Sequence, residues 1–261
     1  MIFRAAMVIT LSTLLLAFGV RASEKKASVV SPAMIIQQQI ALNEILISIH
    51  RLQIDFLDQG AREALQQAQQ SLNISIHTLP ESLHDPEANN LLVTVVSLWP
   101  VISKHITWLS TIPASYEPPS ATSLLRVLAK MDRQLLLLRQ KIANTLPGNT
   151  GKPRFLEQAL LMQYMTRDYL SLLVSEQNAK AAIASQMQLK TLANRFDQRM
   201  TAFNDELSDH PHAMEPVQQA HAAWSFIHSS FEKFPEQKTP DLIVRYGKRI
   251  VSNLSSLQRM F

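Results

Sequence analysis

The 261-residue sequence predicts an all-α protein, one or more elongated antiparallel helical bundles built from a tandem duplication of a three-helix unit. Three observations lead there. No stretch alternates apolar and polar residues over several positions, and no Asn-Gly or Asp-Gly turn separates two β-branched runs, so strand signals are nearly absent. Apolar residues instead recur with helical period along almost the whole chain, cut by proline-rich breakers. The apolar pattern of the first half also returns about 124 positions later.

The first element is a leader. Arg4 is followed by 16 uncharged residues from Ala5 to Val20, then by Val20-Arg21-Ala22 and the polar run Ser23-Glu24-Lys25-Lys26. This is the layout of a secretory signal peptide cut after Ala22, and 16 residues fall short of the roughly 20 that span a bilayer. An uncleaved anchor on the outer membrane face is the alternative. Either way the rest of the chain is expected outside the cytoplasm, in a periplasm.

A long helix is expected from Pro32 to Thr78, with Pro32 in the first turn, where its missing donor is not needed. At about 1.5 Å per residue it would be on the order of 70 Å long, and the molecule a rod. Gly60 predicts a kink near Asp58-Gln59-Gly60. After Pro80 and Pro86 comes a helix carrying Trp99, where Pro100 predicts a bend. Beyond Pro113 to Pro119, the residues Leu124, Leu128, Met131, Leu135, Leu138 and Ile142 step by 4, 3, 4, 3 and 4, the clearest helical seam in the chain. Pro147 to Pro153 then separate a second long helix, Arg154 to Leu207, from what precedes it. Breakers at Pro211 and Pro216 and at Pro235 and Pro240 delimit a helix carrying Trp224 and a closing helix, making about six helices in all.

The repeat is specific in its residues. Leu65, Ala68, Leu72, Ile76, Leu79 and Leu83, moved by 124, fall on Leu189, Leu192, Phe196, Met200, Phe203 and Leu207. A shift of 125 brings Trp99 onto Trp224 and Pro86 onto Pro211, and one of 119 brings Met131, Leu135 and Leu138 onto Ile250, Leu254 and Leu257. The domains are accordingly a leader over 1–22, a first repeat over 23–147 and a second over 148–261.

Composition narrows function. The chain is 46% hydrophobic, enough for a core, and 18% charged, with five Gly and no Cys. Absent cysteine excludes disulfides, thiolate zinc sites and cysteine nucleophiles. Neither G-x-G-x-x-G nor G-x-x-x-x-G-K-[ST] occurs, which argues against nucleotide enzymes of those classes. Removing the leader leaves 23 basic against 21 acidic residues, scattered rather than gathered, so no nucleic-acid partner is expected. His221, His228 and Asp209-His210-Pro211-His212 are the only plausible metal-ligand group, without H-E-x-x-H spacing, and no metal or cofactor is expected. S-x-x-K occurs at Ser23 and Ser230 without its companion motifs, and no carboxylate pair sits on an apolar face, so no catalytic residues are assigned. Met162, Tyr164, Met165, Tyr169, Phe196, Met200 and Phe203 are expected in the core, with Trp99 and Trp224. Arg51, Arg133, Arg139 and Arg167 flank helical seams. An arginine fork there can take a small anion or carboxylate bidentately, or simply cover the seam with its stem.

Residues Leu128-Ala129-Lys130-Met131-Asp132-Arg133-Gln134, followed by Leu135 to Leu138 and Arg139-Gln140-Lys141-Ile142-Ala143, resemble the opening helix of the sensor domain of type IV pili methyl-accepting chemotaxis transducers. The later run of Phe196, Met200 and Phe203, a breaker and a helix with a central Trp is similar to the same family. Leu135 to Leu138 and Arg139 stand where that family carries Arg-Met-Leu-Ser-Gln. The resemblance implies a helical, non-enzymatic, sensor-like module that binds a small anion through arginine and signals by touching another envelope protein. Arg51, Arg133 and Arg167 are the candidate ligand contacts. The alternative is a structural or assembly accessory protein that docks on an envelope complex through a helix face.

Overall fold

Ser31 opens the first helix: its hydroxyl accepts from the Met34 backbone N–H at 3.3 Å, and Pro32 takes the first turn. The computed structural model describes residues 30–113, 120–145, 153–175 and 179–261. The leader expected over Met1–Ala22 and its exit lie outside them. Among the described residues there are eight helices and no strands: α1 (Pro32–Ile54), α2 (Gln59–His77), α3 (Pro86–Thr111), α4 (Thr122–Thr145), α5 (Arg154–Val174), α6 (Ala179–Glu206), α7 (Pro211–Glu232) and α8 (Pro240–Gln258). The protein is all-α, a helical bundle.

Each of the two long helices expected from the sequence is two helices. The first stops because Asp55 turns extended and Asp58 caps a new helix, its carboxylate accepting from the Ala61 N–H at 2.9 Å. Two aspartates close together offer the backbone side-chain acceptors in place of helical carbonyls, and that outcompetes an apolar period running straight through. Arg62, 8% exposed, then pins the corner: it donates to the carbonyls of Phe56 at 2.9 Å, Ile112 at 3.2 Å and Leu109 at 3.4 Å. It thereby ties the α1–α2 turn to the end of α3. The second long helix ends at Val174, where the Ser175 N–H bonds back to the Ser171 carbonyl, and resumes at Ala179. The described residues thus hold eight helices in place of the six expected. The 70 Å rod gives way to α1 of 23 residues, roughly 35 Å long.

In the first set α1 packs on α2, α2 on α3, α3 on α4 and α4 on α1; in the second, α5 to α8 pack in the same cyclic order. Only α1 and α5 join the two sets extensively. One core holds Leu42, Leu65, Trp99, Leu128 and Leu135, the other Phe155, Tyr169, Phe196, Trp224 and Leu254. A small third cluster, Ile36 with Leu156 and Leu160, fills the junction. The two Trp make equivalent bonds: Trp99 Nε1 donates to Asn73 Oδ1 at 2.8 Å, and Trp224 Nε1 to Asp197 Oδ1 at 2.9 Å.

All six residues of the α4 seam are buried. Pro86, Pro211 and Pro240 stand in first turns, as breakers should. Pro100 and Pro216 lie inside α3 and α7, which are each continuous through them. Pro216 therefore does not break the chain.

Candidate functional site

Helices α1 and α5 carry polar residues in the middle of their buried faces: Gln38, Gln39, Asn43 and Ser48 on one, Gln158, Gln163 and Thr166 on the other. Buried polar groups require partners or a solvent-filled space. The two flanks of the α1–α5 seam meet that requirement differently.

On the flank closed by α4 the groups bond one another, leaving the buried Gln39 Oε1 without a partner among the described residues. Arg167 Nη1 donates to Asn43 Oδ1 at 2.9 Å and lies 3.4 Å from Asp132 Oδ2, while its Nε and Nη2 reach Asp168 Oδ1 at 2.8 and 2.7 Å. Gln39 Nε2 donates to the Tyr164 hydroxyl at 2.9 Å and to Asp132 Oδ1 at 3.3 Å, and the Arg167 guanidinium sits 4.8 Å from the Tyr164 ring centroid. Burial, reinforced by the Asp132 carboxylate, pushes the Tyr164 hydroxyl far above its ordinary pKa and keeps it a neutral donor and acceptor. Every nitrogen of the Arg167 fork faces a protein acceptor. Arg167 is a strut between α5, α1 and α4.

On the other flank, between α1, α2, α5 and α8, lies a cleft of about 110 Å³. Its polar wall is Glu44, Ser48, Arg51, Gln163, Thr166 and Lys248. Ser48, Gln163 and Thr166 are 1%, 6% and 3% exposed, and among the described residues their side chains make no hydrogen bond. Arg51 Nη2 pairs with Asp58 at 2.7 Å, and Lys248, exposed at the mouth, lies 3.6 Å from Glu44. Gly60 and Gly247 complete the wall. A β-carbon at Gly247 would come within 2.9 Å of Thr166 Oγ1, so only glycine lets α8 approach α5 this closely.

The structure therefore separates the three candidate arginines: Arg51 on the cleft, Arg167 in the network, and Arg133 exposed on α4 with no ion-pair partner among the described residues. Sequence reasoning missed Ser48, Gln163, Thr166 and Lys248. The available signal was glycine: both described glycines of a chain with only five line this cleft. His221 is exposed, and His228 lies against Trp224, 5.0 Å between ring centroids. Among the described residues no group of three or more His, Asp and Glu could hold a metal ion.

Comparison with family models, with curated proteins and with solved structures yields no match.

Proposed function

We propose that the chain is a non-enzymatic, exported module of the sensor type, which binds a small ligand between two four-helix bundles and passes the change to another envelope protein. The observation that carries this is the cleft beside Arg51, onto which Ser48, Gln163 and Thr166 open with side chains that make no hydrogen bond among the described residues. Helices of both bundles line it, so a bound molecule would bridge them and bias their relative position. The two bundles are read as copies of one four-helix plan, supported by the common packing order and the paired indole bonds of Trp99 and Trp224. The expected leader, the place of Arg51 on the cleft and the resemblance to chemotaxis-transducer sensor domains support a periplasmic binding role.

A thermal-shift titration of the purified chain with nitrate, nitrite and small carboxylates tests the anion form. A ligand taken only by the native state raises the melting temperature with concentration. No shift with any of them removes anion sensing.

The accessory-protein reading is favoured by α3. Its outer side exposes Val93, Val96, Val101 and Trp108, and α3 is the one described helix long and apolar enough to cross a membrane by length and composition. Photo-crosslinkers at Val93 and, as control, at Gln218, its counterpart on α7 by the 125-residue shift, separate the two: an envelope protein captured specifically from Val93 supports docking, and equal labelling from both positions removes it.

A further inference from the structure

Resting on the reading of the cleft as a ligand site, we propose that its ligand is a small zwitterion, an α-amino acid of about the size of glycine, alanine or serine. The cleft of about 110 Å³ has room for a few waters' worth of material, each water taking roughly 30 Å³ in the liquid, and so for a molecule of a few heavy atoms.

Its charges have both signs. Arg51 and Lys248 offer guanidinium and ammonium; Glu44 offers a carboxylate in the same wall. A simple anion set against Arg51 would meet the Glu44 carboxylate, and a simple cation beside Glu44 would meet Arg51. An amino acid presents each end to its opposite. Its carboxylate takes Arg51 N–H groups beside the Nη2 that pairs with Asp58. Its ammonium replaces Lys248 beside Glu44, where the present pair is long at 3.6 Å, solvent-exposed on the lysine side and worth little. Ser48, Thr166 and Gln163 supply the neutral donors and acceptors that buried charged ends need.

The apolar residues Ile47 and Val244 leave one side suited to a methyl or hydroxymethyl group. The wall is opened by Gly247, which stands, by the same 119-residue shift, where α4 has the fully buried Leu128. In the first bundle a leucine fills that position.

Isothermal titration of the full chain with glycine, L-alanine, acetate, methylammonium and nitrate tests this. L-Alanine or glycine is expected to bind at least roughly tenfold more tightly than acetate, nitrate or methylammonium. Glu44→Gln should weaken L-alanine roughly tenfold while leaving acetate no weaker, and Ala64→Leu, which fills the cleft from its edge, should abolish both. Both substitutions lie at partly exposed positions, and circular dichroism of each variant confirms the fold. If acetate or nitrate binds as tightly as L-alanine and Glu44→Gln changes nothing, the zwitterion is wrong and the cleft remains a ligand site. If none of the five binds at about 10 mM, or if binding survives Ala64→Leu, the cleft is not the site and both readings fall.

Discussion

Tyr169 shows how much one hydroxyl can hold. It donates to the Gln237 carbonyl at 3.1 Å and accepts from the Thr239 N–H at 2.9 Å, the residue that begins α8 without a side-chain cap of its own. Tyr169→Phe keeps the edge contacts with Phe231 and Phe234 and strands that N–H, so it should lower stability by about 1–3 kcal/mol. A lower urea midpoint at unchanged slope checks it. His50 makes a different prediction. Burial holds its pKa below 6.5, against the opposing effect of its Nδ1 contact with Gln53 at 2.8 Å, and Arg167 lowers it further. The unfolded chain then binds the proton first, so stability is full above about pH 6.5 and is lost as pH falls from there through the folded pKa. His50→Gln should flatten the difference between urea midpoints measured at about pH 5.5 and 7.5.

Among the elements, α8 carries the sharpest test. Alanine usually stabilises a helix interior by about 1 kcal/mol over glycine, yet at Gly247 the added carbon meets Thr166 Oγ1 at 2.9 Å, and a threonine hydroxyl on a stiff χ1 cannot step aside. Gly247→Ala should destabilise the native chain and become stabilising in a Thr166→Ala background, a coupling that a double-mutant cycle reads directly. How far such elements were legible depended on what surrounds them. In α4 one face is buried and the other wet, so the 4-and-3 spacing from Leu124 to Ile142 names the core residues one by one. In α1 and α5 three neighbouring helices cover nearly every side, and period loses meaning when most of the circumference is buried. That hid the break after Val174 and the polar stripe from Gln38 to Ser48, while the break before Gln59 was legible only as a kink near Gly60. The cleft was illegible for a related reason: its wall comes from four helices whose pairing no local pattern specifies, and only Arg51 and the kink residue Gly60 stood out beforehand.

For the whole molecule the decisive contact is the α1–α5 seam, the main joint between two separately cored bundles. Its apolar part is Ile36 against Leu156 and Leu160, all nearly inaccessible, with Ile47 of α1 seated in the second core. Burying a charge there is costly without a partner, whereas each bundle's own core is untouched. Leu160→Asp should therefore uncouple the halves: calorimetry should show two endotherms in place of one, with far-ultraviolet helical content retained at low temperature. A single endotherm shifted downward would mean that the bundles depend on each other for folding. The Arg167 strut fixes one flank of this joint while the opposite flank is open at Lys248, so movement at the seam is expected to be a swing about the strut.

The placement of the three tryptophans has an optical consequence. Trp99 and Trp224 are 4% and 1% exposed, one in each core, whereas Trp108 is 54% exposed on α3. Collisional quenchers such as iodide reach the α3 indole and spare the other two. A chain carrying Trp108→Phe would emit from its two interiors alone, and removing one interior indole at a time would let the light from each half be followed separately.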